Sequence, residues 1–209
     1  MAPFGPGSVP PPPGRESGPG GIGGTWCPSR RGVVALLFGG AFSLLGAVTV
    51  DPVSAMALCL FRIAQFTTWP AGAFAGADSP VVLAVVGREP FGARLDDMFR
   101  GERLGERPFV VKRCEASEDP PECHILLVGE VDEERSRELL RQVAGRPVLT
   151  VSLRKGFCAE GGMMTLSVEK GRVQILIRRD AVQGARLAVD SRLLNLSKMV
   201  RIYGEPERP

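Results

Sequence analysis

The stretch Cys123–Ile177 reads CHILLVGEVDEERSRELLRQVAGRPVLTVSLRKGFCAEGGMMTLSVEKGRVQILI, and it decides the fold class. His124–Val128 is a short apolar run. Asp132–Val143 is a charged helical segment with a thin apolar stripe of Leu139, Leu140 and Val143. Gly145 ends that helix, and Pro147 forbids its return. Val148–Val151 is a second buried strand. Strand, helix and strand make a βαβ unit, which requires a parallel sheet with both faces covered. Met163–Val168 and Val173–Ile177 then flank Glu169-Lys170-Gly171-Arg172, a hairpin with glycine in its turn.

Upstream, Asp51-Pro52 opens a helix, because Asp is a good N-cap and Pro suits the first turn. That helix is expected from Val53 to about Thr68. It has few polar positions, so it is largely buried. Trp69-Pro70 stops it. Val81–Val86 is an apolar run that reads as a central strand. Pro90 starts a short helix through Phe99, with Phe91, Leu95, Met98 and Phe99 inward. Phe109–Val111 is another strand, and Glu115–Glu122 an acidic loop. Downstream of the hairpin, Asp180 caps a short turn. Asp190 or Ser191 caps a last helix to about Ile202, with Leu193, Leu196 and Val200 on one face. The expected fold is α/β: a mixed, largely parallel sheet of about six strands, helices on both faces, and a C-terminal β-hairpin plus helix.

Residues 1–24 contain seven Pro and eight Gly, too little apolar surface to offset ordering entropy, so residues 1–28 are expected to be disordered. Arg30-Arg31 then precede Gly32–Val50, which carries no charge. A basic flank before an apolar run is the layout of an export signal, and paired arginines suggest the twin-arginine route. Residues 29–50 are thus expected to be a cleaved export signal or a retained membrane anchor, residues 51–204 the folded domain, and residues 205–209 a tail.

Composition narrows the function. The chain has 26 basic and 23 acidic residues in 209, and no basic face that would take nucleic acid. Its only tyrosine is Tyr203, which leaves few platforms for stacking bases. Cys123-His124 could be half a metal site. However, His124 is the only histidine, and neighbours on a strand point to opposite faces. The same scarcity leaves a nucleophile without an obvious base. Neither a metal nor a cofactor is expected. Cys114 and Cys123 bracket the acidic loop, and an oxidising compartment favours a bridge between them. Cys59 and Cys158 leave other pairings open. Gly156–Gly162 lacks a phosphate-loop spacing and leads into a strand. It is expected to be a connection with unusual dihedrals and close packing, and Gly161 and Gly162 are both expected to hold backbone conformations that a Cβ disfavours.

The order of several short motifs resembles the YfiR family of periplasmic regulators. The motifs are Phe66-Thr67-Thr68-Trp69-Pro70, Val86-Gly87-Arg88-Glu89-Pro90-Phe91-Gly92, and Cys123-His124-Ile125-Leu126. They continue with Arg146-Pro147-Val148-Leu149-Thr150-Val151-Ser152, Gly156-Phe157 with Gly161-Gly162-Met163, and Ser191-Arg192-Leu193-Leu194. The resemblance runs from about Val53 to Val200. It implies a non-catalytic periplasmic α/β domain, often dimeric, that represses a membrane diguanylate cyclase by binding its periplasmic part. It also implies sequestration by an outer-membrane lipoprotein and modulation by redox state. Two departures bear on the last point. The best-known repressor has two disulfides, and here Ala84 stands opposite Cys123, and Thr165 opposite Cys158, where cysteines would complete them. A third departure is Arg178-Arg179 in place of the family's Asn-Leu. These adjacent charges are a candidate partner interface.

The resulting expectation is an exported, non-enzymatic regulator of a membrane sensor, either a diguanylate cyclase or a histidine kinase, acting on cyclic-di-GMP signalling. Its rivals are a small-molecule sensor with ligand near Gly87–Phe91 and Ser152–Gly162, an enzyme, and a membrane-anchored structural domain.

Overall fold

A computed structural model describes residues 51–194 and 199–204. The expected disordered segment 1–28, the export segment 29–50 and the tail 205–209 lie outside these residues. No helix among the described residues is long and apolar enough to cross a membrane.

Helix α1 (Pro52–Gln65) starts as its sequence dictates: the Asp51 carboxylate accepts the Ser54 N–H at 3.3 Å, and Pro52 occupies the first turn. Its buried stripe is Met56, Ala57, Leu60, Phe61, Ile63 and Ala64. It stops before Thr68, because β1 (Thr67–Thr68) pairs antiparallel with β9 (Ala188–Val189).

The main sheet has eight strands, more than the six or so expected from sequence. In chain order they are β2 (Val81–Val86), β3 (Arg103–Leu104), β4 (Arg107–Cys114), β5 (Ile125–Val128), β6 (Leu149–Ser152), β7 (Met164–Glu169), β8 (Arg172–Ile177) and β10 (Val200–Ile202). Their spatial order is β10-β8-β7-β6-β5-β2-β4-β3. The run from β7 through β6, β5 and β2 to β4 is parallel, β3 and β8 pair antiparallel with their neighbours, and β10 is parallel to β8. The sheet is thus mixed and mostly parallel. Lys170 and Gly171, both at positive φ, close the β7–β8 hairpin, as the favoured two-residue turns require.

Alternation along the parallel strands divides the core. Val81, Leu83 and Val85 of β2, with Ile125 and Leu127 of β5, pack beneath α1 and beneath α2 (Ala93–Phe99) through Leu95 and Phe99. Val82, Ala84, Val86, Leu126 and Val128 face the other way, under Leu139 and Val143 at α3 (Glu133–Gln142) and under Phe157. Helices therefore cover both faces, and every residue of β2 is buried.

The expected last helix is corrected. After α4 (Arg179–Gly184), helix α5 covers Ser191–Leu194, capped by Asp190 Oδ1 on the Arg192 N–H at 2.7 Å. Val200–Ile202 is a strand, not the end of that helix, and Leu196 lies outside the described residues. The open edge of β8 wins: Ile175 donates to the Met199 carbonyl at 2.6 Å, and Tyr203 donates to the Ile177 carbonyl at 2.8 Å. Unpaired strand groups demand partners, and β-branched Val200 and Ile202 suit a pleated surface.

Candidate functional site

The motif residues do not converge on one place. They divide between the two ends of the parallel strands.

At the carboxyl ends, β2 and β5 are neighbours whose following helices, α2 and α3, cover opposite faces. Parallel sheets bind ligands at such a switch point. Here the backbones of the two following loops meet. Gly129 donates to the Val86 carbonyl at 2.9 Å, and Glu130 to the Arg88 carbonyl at 2.7 Å. A Cβ on Gly87 would lie 2.8 Å from the Glu130 carbonyl, and one on Gly129 2.2 Å from the Arg88 carbonyl. Both positions therefore need glycine for close approach. Over this seam lies a cleft of about 780 Å³, lined by apolar Pro90, Val131 and Leu153 and by charged Arg88, Glu130, Asp132 and Arg154. Arg88 and Glu130 form a 3.1 Å ion pair that is exposed on both sides, worth about 0–1 kcal/mol.

Side chains beside the cleft are committed to the fold. The Glu89 carboxylate, 5 % exposed, accepts the Phe91 N–H and, at 3.1 Å, the Gly92 N–H, and it pairs with Arg113. It thereby fixes the turn into α2 and places Phe91 in the core. Arg154 grips Glu160 with both terminal nitrogens and donates to the buried Ser136 hydroxyl at 2.9 Å. Hydrogen bonding to Arg154 holds the Glu160 carboxyl below its ordinary range. The Arg154 Nε is buried without a partner. Ser152 donates to the Val128 carbonyl at 2.7 Å and accepts the Arg154 N–H, and Thr150 accepts the Met163 N–H at 3.0 Å. Gly156 (φ +89°) and Gly161 (φ +111°) supply the left-handed dihedrals of the connection. Gly162 acts through packing instead: a Cβ there would lie 2.2 Å from the Phe157 ring.

At the amino ends, Trp69, which precedes Pro70, and Leu149, which follows Pro147 by two residues, both bond to His124, the neighbour of Cys123. His124 Nδ1 accepts the Val82 N–H at 3.0 Å, so Nε2 carries the proton and donates to the Ala73 carbonyl at 3.1 Å. The His124 carbonyl accepts from Trp69 Nε1 at 3.2 Å and from Leu149 at 2.9 Å. Phe66 is tied to the chain start of α5: its carbonyl accepts the Asp190 N–H at 2.8 Å, and the Arg192 guanidinium lies 5.3 Å from its ring. Ser191 begins that helix.

The cysteines Cys59, Cys114, Cys123 and Cys158 are free thiols. Burial pushes the Cys123 thiol up to about 11. The loop between Cys114 and Cys123 joins parallel strands on either side of β2, so it is a crossover and not a hairpin return. Cys114 is level with Val86, whereas Cys123 lies two residues before Ile125, which is level with Leu83. The Cys114–Cys123 pairing stands as a proposal for the oxidised protein. Cys123 and Ala84 share one core cluster, and Cys158 Sγ lies 3.4 Å from Thr165 Oγ1.

Arg178 and Arg179 do not form a matched pair of surface charges. Arg178 donates to the Cys158 carbonyl at 3.0 Å, pairs with Asp180, and sits 5.6 Å from the Tyr203 ring, whereas Arg179 is exposed. Among the described residues, no group of three or more His, Cys, Asp or Glu is arranged to hold a metal. Glu89, Arg154 and Glu160 were not anticipated as a set. Their partners are backbone amides or lie across a loop, and neither spacing has a periodic signature.

The side chains beside the cleft are thus bound into the loops of a mixed α/β domain. A family model described as YfiR/HmsC-like matches residues 54–198, and the chain belongs to that family. The family is one of periplasmic regulators, generally not catalytic.

Proposed function

We propose that this protein is an exported, non-enzymatic regulator that binds and represses a membrane signalling protein through that partner's periplasmic domain. The partner is a diguanylate cyclase or, failing that, a histidine kinase. Residues 29–50 deliver the domain to the periplasm, as a cleaved signal or a retained anchor. A second copy of the chain and an outer-membrane lipoprotein are the further partners this reading implies. The observation that carries it is the YfiR/HmsC-like match across nearly all of the described domain. Capture of the cyclase from envelope extract by the tagged protein, and raised cyclic-di-GMP and biofilm in a deletion strain, are the expected results. Unchanged signalling in the deletion strain would remove the regulatory role.

The cleft beside Arg88 and Arg154 favours a second reading, a small-molecule sensor, because it lies where parallel sheets bind ligands. Thermal stabilisation of the wild type by a small metabolite, lost in Leu153→Arg, would support it. No stabilisation across a metabolite panel would count against it.

A further inference from the structure

His124 is the chain's only histidine, and both of its ring nitrogens are committed to backbone in different segments. Val82 gives His124 its entire backbone: its carbonyl accepts the His124 N–H at 2.9 Å, and its N–H donates to Nδ1 at 3.0 Å. The opposite nitrogen holds Ala73, in the 3-10 turn Ala71–Ala73. The imidazole stacks on Phe74 with ring centroids 4.4 Å apart, and Arg107 covers the other face of that ring at 3.9 Å. Arg107 also donates to the Gly76 and Ser79 carbonyls. Among the described residues, hydrogen bonds from His124 and Arg107 alone tie the backbone of residues 71–79 to the sheet.

We propose that His124 is a pH-operated latch that holds the 70–80 loop on the amino end of the sheet while its imidazole is neutral and releases it on protonation. Only the neutral Nε2–H tautomer can accept from Val82 and donate to Ala73 together. The imidazolium has two donors, so Nδ1–H would face the Val82 N–H, donor against donor. The charged groups that bear on the ring are Arg107, beyond Phe74, which opposes protonation, and Glu122, just before β5, which favours it. Burial opposes it too and is the largest influence, so the latch opens below the ordinary histidine range. Release uncovers Phe74 and loosens the segment that leads from Trp69 into β2, which would alter the surface this end of the domain offers.

The test uses the full chain. With one histidine, every imidazole signal in a proton–carbon NMR titration is His124. Hydrogen exchange of the 70–82 segment, corrected for intrinsic pH dependence, is followed in parallel. The expected result is a single titration below the ordinary range, with exchange of this segment rising about tenfold at the same midpoint, the loss of roughly one hydrogen bond, while β5 and β6 stay protected. His124→Gln, which cannot change charge, should abolish the pH dependence. Titration without a change in exchange overturns the latch, as does an imidazole that stays neutral until the whole domain unfolds. A pH response that persists in His124→Gln overturns it equally. Should that variant not fold, coincidence of the two wild-type midpoints decides.

Discussion

Cys158 Sγ and Thr165 Oγ1 lie 3.4 Å apart, both side chains buried, one on the connection after β6 and the other on β7. A threonine stands here where a second cysteine would face Cys158. The pair carries a sulfur on one side only, and a disulfide needs two. Burial also pushes the Cys158 thiol up, which keeps it in the unreactive protonated form.

Thr165→Cys should therefore form a bridge with Cys158 on oxidation. The loop it closes is short, for which the chain-entropy model gives about 2–3 kcal/mol. The variant's urea midpoint should exceed that of its reduced form, and a non-reduced digest should contain the linked peptides. Free thiols at both positions after oxidation would show that the approach does not support a bridge. The same digest of the wild type reports on Cys114 and Cys123: a linked peptide would establish that proposed pairing, and two alkylated peptides would remove it.

Gly161 and Gly162 should respond differently to a methyl group. Gly161 has open space around a Cβ but a φ of +111°, so alanine there is strained by its dihedral alone, at about 1–2 kcal/mol. Gly162 lacks that φ and instead abuts the ring of Phe157, which is fully buried. Gly162→Ala forces the ring to move within a filled core, costing about 1–3 kcal/mol. The paired variant Gly162→Ala/Phe157→Leu should recover part of this loss, whereas Gly161→Ala/Phe157→Leu should show no such recovery. Additive losses at Gly162 would refute the packing explanation.

These two glycines illustrate what the sequence made legible. Their presence beside an apolar strand announced a constrained connection, but the two separate causes needed the position of Phe157. The central strands were legible because continuous apolar runs such as Val81–Val86 have no other stable use, and the hairpin was legible from Lys170-Gly171. β4 was read only as Phe109–Val111, because Lys112 and Arg113 look like loop residues. On a strand bordering solvent such charges instead discourage pairing with other chains. β10 was taken for helix because Leu193, Leu196 and Val200 have helical spacing. The vacant edge of β8, which decided otherwise, is a property of the assembled sheet. The site suffered most: Glu89 and Arg154 act on partners that only the folded loops bring near.

Glu160 gives the domain an acid sensitivity whose sign is fixed. Arg154 keeps the folded-state carboxyl below its ordinary value of 4.5. Above 4.5 the carboxylate is charged in both states and the ion pair contributes fully. As pH falls below that value the unfolded chain takes up a proton first, and stability drops until Glu160 itself protonates in the folded state. Glu160→Gln should cost roughly 2–3 kcal/mol at neutral pH, somewhat under the loss for a fully enclosed pair, and should flatten the acid limb of the stability profile. An acid limb as steep as wild type would assign it to another carboxylate.

Arg178 and Arg179 can now be tested separately. Arg178 is 28 % exposed at its side chain and carries hydrogen bonds to the Cys158 carbonyl and to Asp180. Asp180 raises its affinity for the proton further. Arg178→Ala should loosen the connection after β6 and lower stability by about 1–3 kcal/mol, as loss of a charge-assisted hydrogen bond does. Any fall in partner capture by that variant would therefore be ambiguous. Arg179 is exposed at the start of α4, so Arg179→Glu reverses a surface charge and should leave the unfolding profile within about 0.5 kcal/mol of wild type. If this surface meets the membrane partner, the variant should capture it more weakly, with a slower association rate and a changed salt dependence. Capture at the wild-type rate across a salt series would take Arg179 out of the interface and confine the role of Arg178 to the fold.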